Sequence, residues 1–243
     1  MQAVSLSFFR FSSPVARLWA LAQMGAARFS LPHTPEIGFW KLLGSGTGEG
    51  FTPIPNTSVY AILATWPSLE AAQTQTANAP TFQRYQHRAT EHWTVFLNTS
   101  SVRGNWSHTD PFNAEAGSPD RGHEAGPLAA LTRATIKPSI ALKFWERVPA
   151  ISNVIGEDPN VIFKIGVGEV PLLHQVTFSI WPDAQSMANF ARKDGPHARA
   201  IRAVRDGEWF AEELYARFRI LGSAGTWHGS DPLENLPLSE MSQ

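Results

Sequence analysis

The fold of this chain is decided by a glycine-rich stretch that occurs twice, as Lys41-Leu-Leu-Gly-Ser-Gly-Thr-Gly-Glu49 and as Lys164-Ile-Gly-Val-Gly-Glu169. Each copy is followed by an apolar run that ends on Trp-Pro, at Trp66 in the first half and at Trp181 in the second. Further matches follow in the same order at nearly constant separation: Trp93 with Trp209, Trp106 with Trp227, and Asp110 with Asp231. Rare residues that recur in one order predict an internal duplication.

Each half predicts the element order β-α-β-β-α-β, which is the ferredoxin-like arrangement. The run before each Trp-Pro is expected to be a strand, because proline cannot extend a ladder of hydrogen bonds. Helices cover one face of such a sheet, and two sheets in one chain can bury their bare faces against each other. The sequence therefore predicts an α+β fold in which tandem ferredoxin-like repeats form an intra-chain dimeric α+β barrel.

This plan divides the chain into residues 1–106 as the first ferredoxin-like repeat, 107–128 as a linker and 129–243 as the second repeat. The linker is identified by its content of Asp, Gly, Pro and Ser. Helical stretches are expected over residues 80–95 and 196–214, each ahead of the last strand of its repeat.

The Gly-Ser-Gly-Thr-Gly-Glu-Gly run at residues 44–50 resembles a dinucleotide-binding fingerprint only superficially. The turn sequence Thr-Pro-Ile-Pro-Asn at residues 52–56 follows it, where the fingerprint requires a helix. Glycines in a strand are typical of places where another backbone comes close. We therefore expect a glycine-rich β-hairpin against a neighbouring strand.

The composition excludes several classes of function. Lys plus Arg total 20 against 21 acidic residues, which argues against a nucleic-acid partner. The chain has no cysteine, so disulfides, thiolate-bound metals, iron–sulfur clusters and thiol nucleophiles are excluded. No apolar run is long enough to span a bilayer, and the first residues lack the pattern of a signal peptide. We expect a cytoplasmic protein.

Eight histidines are then the main reactive side chains, because no GxSxG, HxxxH or HExxH motif occurs. Two of them, His87 and His92, are expected on one helix without sharing a face. Four more are expected in loops, where a solvated imidazole is the default: His33, His108, His123 and His228.

His197 and His174 are the two histidines expected on apolar faces. His197 follows Gly195-Pro196 in the first turn of an expected helix and shares an apolar stripe with Ile201 and Val204. His174 begins a strand in which Val176, Phe178 and Ile180 lie on the same face. If helices cover that face, the two histidines share a cavity. An imidazole is a common iron ligand, and the alternative is a pair of core histidines.

Several longer segments of the chain form a specific pattern: SLSFFRF, ARLWALAQMG, GFWKLLGSGTGEGFTPIPN, ILATWP, FSIWP, and the run from Gly195-Pro196-His197 through WFAEELYARFRILGSAGTW. These segments resemble the spheroidene monooxygenase family of carotenoid biosynthesis. The resemblance extends from about residue 3 to residue 229 and is absent from the 107–128 stretch.

The resemblance implies an O2-dependent enzyme that inserts a keto group into an acyclic carotenoid. It implies haem b as the cofactor, reduced ferredoxin as the electron donor, and kinship with α+β barrel haem proteins whose iron ligand is a histidine on a helix over the sheet. On that basis His197 is the predicted axial ligand, within a cofactor site that includes Ile201 and Val204. Arg199, Arg202 and Arg205 are candidates to pair the propionates, or form a solvated basic face.

The resemblance also implies a distal proton donor and an apolar substrate channel. Candidates for the donor are His174, Arg202 and Lys164. The channel would be walled by four aromatic side chains that could equally be plain core: Phe178, Trp181, Phe190 and Phe218. A membrane-derived substrate predicts peripheral contact with the inner membrane. Whether the chain forms a homo-oligomer is left open by the sequence. The alternatives are a haem enzyme acting on a smaller substrate, by dehydration or peroxidase-like oxidation, a cofactor-free monooxygenase, and a non-enzymatic haem or carotenoid carrier.

Overall fold

The computed structural model describes residues 1–48, 50, 52–114, 126–142, 144–145, 160–192 and 209–236. These residues form eight strands: β1 Ala3–Arg10, β2 Trp40–Gly46, β3 Pro55–Trp66, β4 Glu91–Gly104, β5 Leu128–Ile136, β6 Phe163–Gly168, β7 His174–Trp181 and β8 Phe210–Gly225. They also form four helices: α1 Pro14–Ser30, α2 Leu69–Asn78, α3 Pro80–Arg88 and α4 Ala184–Arg192. Short 3-10 turns lie at Leu31–His33 and Pro138–Ile140.

All eight strands close into one antiparallel barrel in the order β1-β3-β2-β6-β7-β5-β8-β4. The order β4-β1-β3-β2 in the first half repeats as β8-β5-β7-β6 in the second. Each half is a ferredoxin-like sheet, and the halves join along the β2–β6 and β4–β8 seams. The predicted barrel of tandem ferredoxin-like repeats is confirmed.

The β2–β6 seam is built from the two glycine-rich stretches. Gly44 pairs with Gly168, and the β2–β6 ladder contains two residue pairs in all. A Cβ atom on Gly50, whose φ is +92°, would overlap the backbone of Gly166. The expected close approach of another backbone is therefore confirmed, and glycine is required where the hairpin crosses the seam.

The barrel interior is a packed core and contains side chains from every strand. Phe8 lies at its centre, within 6.2 Å of four other ring centroids: Trp93, Phe163, Phe178 and Trp227. Alternate residues of each strand point inward, so the other row of each strand faces out.

The outer face of the first sheet is covered by α1, α2 and α3. Ser13 caps α1 by accepting a hydrogen bond from the backbone N–H of Ala16, and Ser68 caps α2 in the same way. Small inner residues such as Ala20 and Ala27 let α1 lie close to the sheet, while Tyr85 of α3 contacts Phe9 at 5.0 Å between ring centroids. None of the described helices is long and apolar enough to cross a bilayer.

Two predicted helix ends are wrong. The helix expected over 80–95 ends at Arg88, and His92 lies on β4. The strand β8 begins at Phe210, inside the stretch expected to be helical to residue 214. Ala, Glu and Leu there have high helix propensity, but tertiary pairing with β5 overrides it. Residues 193–208 lie outside the described part of the chain.

The start of the segment predicted as a linker packs against the barrel. Trp106 and Thr109 form an isolated bridge, and Phe112 is buried in the interior core. The fifth strand begins at Leu128. Residues 115–125 are not described.

The glycine seam predicts a sharp difference between two Gly→Ala variants. Gly50→Ala places a methyl group into the backbone of the opposite strand at a positive φ, so we expect the free energy of unfolding to fall by about 2–3 kcal/mol. Gly44→Ala on the same seam has open space around the added methyl group. This variant should change the free energy of unfolding by less than about 1 kcal/mol. Urea unfolding measures both. Equal losses in the two variants would contradict the steric role assigned to Gly50.

Candidate functional site

The two sheets present very different outer faces. In the second sheet, pairing across the strands forms three outward rows: Lys164–Ser179–Ala130–Arg217, Gly166–Thr177–Thr132–Tyr215 and Gly168–Gln175–Ala134–Glu213. We call this surface the small-residue face. Gly, Ala, Ser and Thr occupy most of its centre, so the side chains of this sheet rise only a short distance above the backbone.

The corresponding rows of the first sheet carry large apolar groups. They are Trp40–Ala64–Ser5–Phe96, Leu42–Ile62–Ser7–Thr94 and Gly44–Tyr60–Phe9–His92. Gly166 thus takes the place of Leu42, and Ala134 takes the place of Phe9. In the first repeat these large side chains fill the space beneath the helices. The second repeat has lost that filling at matched positions.

Cations and aromatic rings border the small-residue face. Lys164 and Arg217 lie at the two ends of one row, on β6 and β8. Trp181 and Phe190 pack at 5.2 Å between ring centroids in the apolar cluster between β7 and α4, and the indole N–H of Trp181 donates to Ser179 Oγ at 2.9 Å. The surface is suited to a flat ligand that carries anionic groups at its edge.

His174 lies on the opposite side of the sheet from this face. Val176, Phe178 and Ile180, which share its row, belong to the barrel interior. The expectation that helices cover this row is therefore wrong. The alternation of β7 separates two rows of side chains, but it does not tell which row faces the helices. The row that faces out contains Thr177 and Ser179.

His174 instead belongs to a group of ionisable side chains at one end of the barrel. We call it the ion cluster; its members are Lys41, Arg133, Glu169, His174 and Glu212. Arg133 is only 1% exposed and forms an ion pair with Glu212, while Lys41 Nζ lies 2.8 Å from Glu169. The indole N–H of Trp106 donates to Glu169 Oε1 at 2.6 Å.

Two carboxylates and two permanent cations make the ion cluster close to neutral. Burial by itself would raise the pKa of Glu212, but hydrogen bonds from the backbone N–H groups of His108 and Ser107, together with Arg133, lower it below the usual value. Burial lowers the pKa of His174, against the smaller opposite effect of Glu169. His174 Nδ1 is buried and makes no hydrogen bond within the described part of the chain.

The opposite barrel end has a related but more open arrangement. Arg10 pairs with Glu91 at 3.2 Å and lies 4.4 Å above the Trp227 ring, and the backbone N–H of Gly229 donates to Glu91. Next to it is a cavity of about 570 Å³ lined by residues that include Ser45, Asn56, Phe163 and His228. One end of the barrel is closed by the ion cluster, and the other is open.

The predicted site residues separate into three groups. On the outer side of the second sheet lie Lys164, Trp181 and Phe190. In the barrel interior lie His174, Phe178 and Phe218, the two phenylalanines fully buried. Outside the described residues lie His197, Arg199, Ile201, Arg202, Val204 and Arg205. The four aromatic residues expected to line one channel therefore lie on opposite sides of the sheet.

Sequence reasoning missed Arg133, Glu169 and Glu212. The available signal was the charge pattern of two strands, since Arg133 interrupts the apolar run of β5 and Glu212 occupies an inward position of β8. A charged residue at an inward position is rare unless it is paired. Among the described residues no group of three or more His, Asp or Glu side chains could hold a metal ion.

The fold places this chain among the α+β barrel proteins. A crystal structure of aldoxime dehydratase superimposes with a TM-score of 0.58 at 11% identity, covering 97% of this chain and 84% of that chain. A second, of an aldoxime dehydratase in complex with butyraldoxime, gives 0.56 at 10% identity, covering 90% and 80%. At such low identity the likeness shows the fold alone. No protein-family model matches the chain.

Sequence relatives define the family. The spheroidene monooxygenase of Cereibacter sphaeroides is 52% identical over 96% of this chain and 71% of its own length. That of Rhodobacter capsulatus is 51% identical over 96% of both, and that of Rubrivivax gelatinosus is 35% identical over 89% and 82%. The chain belongs to the spheroidene monooxygenase family, and it is an oxidoreductase of the monooxygenase type.

The ion cluster predicts unequal costs for removing the arginine at each barrel end. Arg133→Met leaves Glu212 without its buried partner, so we expect the free energy of unfolding to fall by about 3 kcal/mol or more. Arg10→Met breaks the related pair at the open end, where the arginine side chain is 29% exposed, and should cost about 1 kcal/mol. Chemical unfolding compares the two, and a larger loss for Arg10→Met would show that the ends have been assigned the wrong way round.

His174 also predicts a pH dependence of stability. Because its pKa in the folded protein lies below the ordinary 6.5, the unfolded chain binds more protons, and stability falls as the pH drops below about 6.5. His174→Gln should weaken this dependence, measured as the unfolding midpoint across pH 5–8. The exposed His33→Gln is the control and should keep the dependence of the unchanged protein. An identical pH profile in His174→Gln would remove His174 as its source.

Proposed function

We propose that this monooxygenase is haem-dependent and inserts oxygen into an apolar polyene such as an acyclic carotenoid, with His197 as the axial ligand. One observation carries the proposal: the second sheet lacks, at matched positions, the large outward side chains that fill the space under the helices of the first. A duplicated fold that keeps its packing in one repeat and gives it up in the other has made space for a ligand.

The small-residue face fits a haem in shape and charge. Its central residues Gly166, Thr177 and Ala134 have small side chains, which leave room for a planar macrocycle over the sheet. Haem propionates are anionic, and Arg217 at the end of one row is proposed to pair with them. Opposite charges at the edge of a partly buried site favour such an orientation.

His197 is proposed as the ligand partly because of where the described histidines of the second repeat lie. Of the described histidines in the second repeat, His174 faces the barrel interior and His228 lies in an exposed turn beyond β8. Neither can reach the small-residue face as a ligand. His197 belongs to the 193–208 connection between α4 and β8, the elements that flank this face. Ile201, Val204, Arg199 and Arg205 of the same connection are proposed to complete the cofactor site.

When bound, haem b supplies an iron centre that activates O2 with two electrons, for which we propose a reduced ferredoxin as the source. The overall step consumes O2, two electrons and two protons, converts a C–H bond to C–OH, and releases water. A second round at the same carbon gives a gem-diol, which loses water to a ketone. The chain must therefore deliver protons and keep bulk water away.

The described residues divide these tasks. Lys164 lies on the small-residue face, so we propose Lys164, or Arg202, as the proton donor, and not His174. Trp181 and Phe190 form an apolar wall that excludes water from one side and contacts the substrate. Phe178 and Phe218 fill the barrel interior, and we assign them no substrate contact.

The polyene substrate is proposed from the relatives, which are spheroidene monooxygenases. The apolar wall beside the small-residue face is compatible with such a chain. A long apolar substrate also favours peripheral contact with the inner membrane. Oxygen uptake that requires both the carotenoid and a reduced ferredoxin would support this part of the proposal.

A spectrum of protein produced with a haem precursor tests the cofactor. We expect a Soret band in the unchanged protein, its shift or loss in His197→Ala, and its retention in the control His174→Ala. Ala134→Phe introduces the residue that the first repeat has at that position, and should lower haem occupancy at least tenfold while circular dichroism shows a folded barrel.

Three results would contradict the proposal. A Soret band that is lost in His174→Ala and kept in His197→Ala would assign the axial ligand to His174 instead of His197. Full haem occupancy in Ala134→Phe would remove the small-residue face as the site. Carotenoid oxygenation by haem-free protein would replace the haem mechanism by a cofactor-free one.

A further inference from the structure

The solvent side of helix α1 is apolar along its whole length. At 100° per residue one face collects Val15, Leu18, Ala22, Gly25, Ala26 and Phe29, all exposed. We call it the apolar α1 face. Val15, Leu18 and Phe29 are 79%, 70% and 81% exposed. A surface helix normally turns polar residues outward, so this pattern is reversed.

Packing among the residues that the structure describes does not explain the reversal. The inner side of α1 is made by small residues such as Ala20 and Ala27, which are fully buried against the sheet. The large apolar side chains of the outer side contribute nothing to that contact. Contiguous exposed apolar surface of this kind marks an interaction site.

Arginines border the apolar α1 face on both sides. Arg17 and Arg28 lie along one edge, held by hydrogen bonds from their Nε atoms to the carbonyls of Phe11 and Met24. Along the other edge, Arg88 of α3 lies 4.6 Å above the Trp19 ring, and Arg84 donates to Ser30 Oγ at 3.1 Å. Neither α1 nor α3 contains an acidic residue.

A second apolar feature adjoins this face. Leu21, Met24 and Arg28 of α1 line a cavity of about 240 Å³ that reaches the glycine seam. Two of its lining residues are partly exposed and apolar, Val170 at 38% and Leu172 at 40%. The exposed apolar surface thus continues from the helix onto the loops that surround the cavity.

We propose that the apolar α1 face docks onto an anionic phospholipid bilayer. Its apolar side chains would lie at the boundary between headgroups and acyl chains, and the bordering arginines would pair with lipid phosphates. An isologous dimer through α1 fits less well, because two-fold symmetry would bring the arginines of both copies together with no acid on either helix. The inference rests on the membrane contact named in the proposed function and deepens it by assigning that contact to the apolar α1 face; it does not depend on the cofactor.

Co-sedimentation with lipid vesicles tests the inference without measuring activity. The unchanged protein should sediment with vesicles of phosphatidylcholine plus phosphatidylglycerol, more weakly with phosphatidylcholine alone, and less at high salt. Leu18→Gln with Phe29→Gln should lower the affinity at least roughly tenfold, since two apolar side chains leave the bilayer. Both are highly exposed, so the unfolding midpoint should stay unchanged.

A matched pair of charge variants separates the arginines from net charge. Arg28→Gln with Arg88→Gln should weaken binding to the anionic vesicles roughly tenfold and leave binding to phosphatidylcholine alone unchanged. Arg103→Gln with Arg219→Gln removes the same number of charges from exposed positions on β4 and β8; this variant is the control and should bind as the unchanged protein does.

Failure to sediment with either vesicle would overturn the inference, as would full binding by the Leu18→Gln, Phe29→Gln variant. A dimer on size exclusion that becomes a monomer in that variant, with no vesicle binding in either form, would assign the face to a second copy and also overturn it.

Discussion

Backbone contact at the β2–β6 seam is the constraint on which the rest of this molecule depends. Two ferredoxin-like sheets close into a barrel only if their edge strands pair, and here the strands meet at Gly44 and Gly168, with Gly50 passing against Gly166. Any side chain at Gly50 would separate the sheets. Once this seam and the β4–β8 seam are closed, both inner faces form one core, and no sheet edge is left unpaired.

Closure also explains why the two repeats could diverge so unequally. The inner rows contact each other across the barrel, so a change in one repeat must be matched in the other. The outer rows lie on the far side of each sheet from this shared core, so contacts across the barrel do not constrain them. In the first repeat Leu42 and Phe9 keep a filled apolar layer, whereas Gly166 and Ala134 at the matched positions leave the small-residue face. The two repeats therefore share an inner core and differ in their outer faces.

The repeated glycine stretches, the Trp-Pro strand ends and the element order were enough to predict the barrel. The site was harder to predict because alternation along a strand does not tell its inner row from its outer row. Alternation in β7 shows that His174 shares a row with Phe178, but the same pattern fits an inward or an outward row. The ion cluster was not predicted because Arg133 and Glu212 are far apart in sequence and meet only when β5 pairs with β8. The start of β8 at Phe210 was not predicted because the residues that follow it have high helix propensity.

The unequal barrel ends give the interior a direction. Near-neutral charge pairs and the indole of Trp106 fill one end, while the end beside Arg10 has a polar cavity. The two ends of the barrel are therefore not interchangeable, although the two halves of the chain share one fold. A molecule built from two similar halves is therefore asymmetric along the barrel axis, a property that neither half has alone.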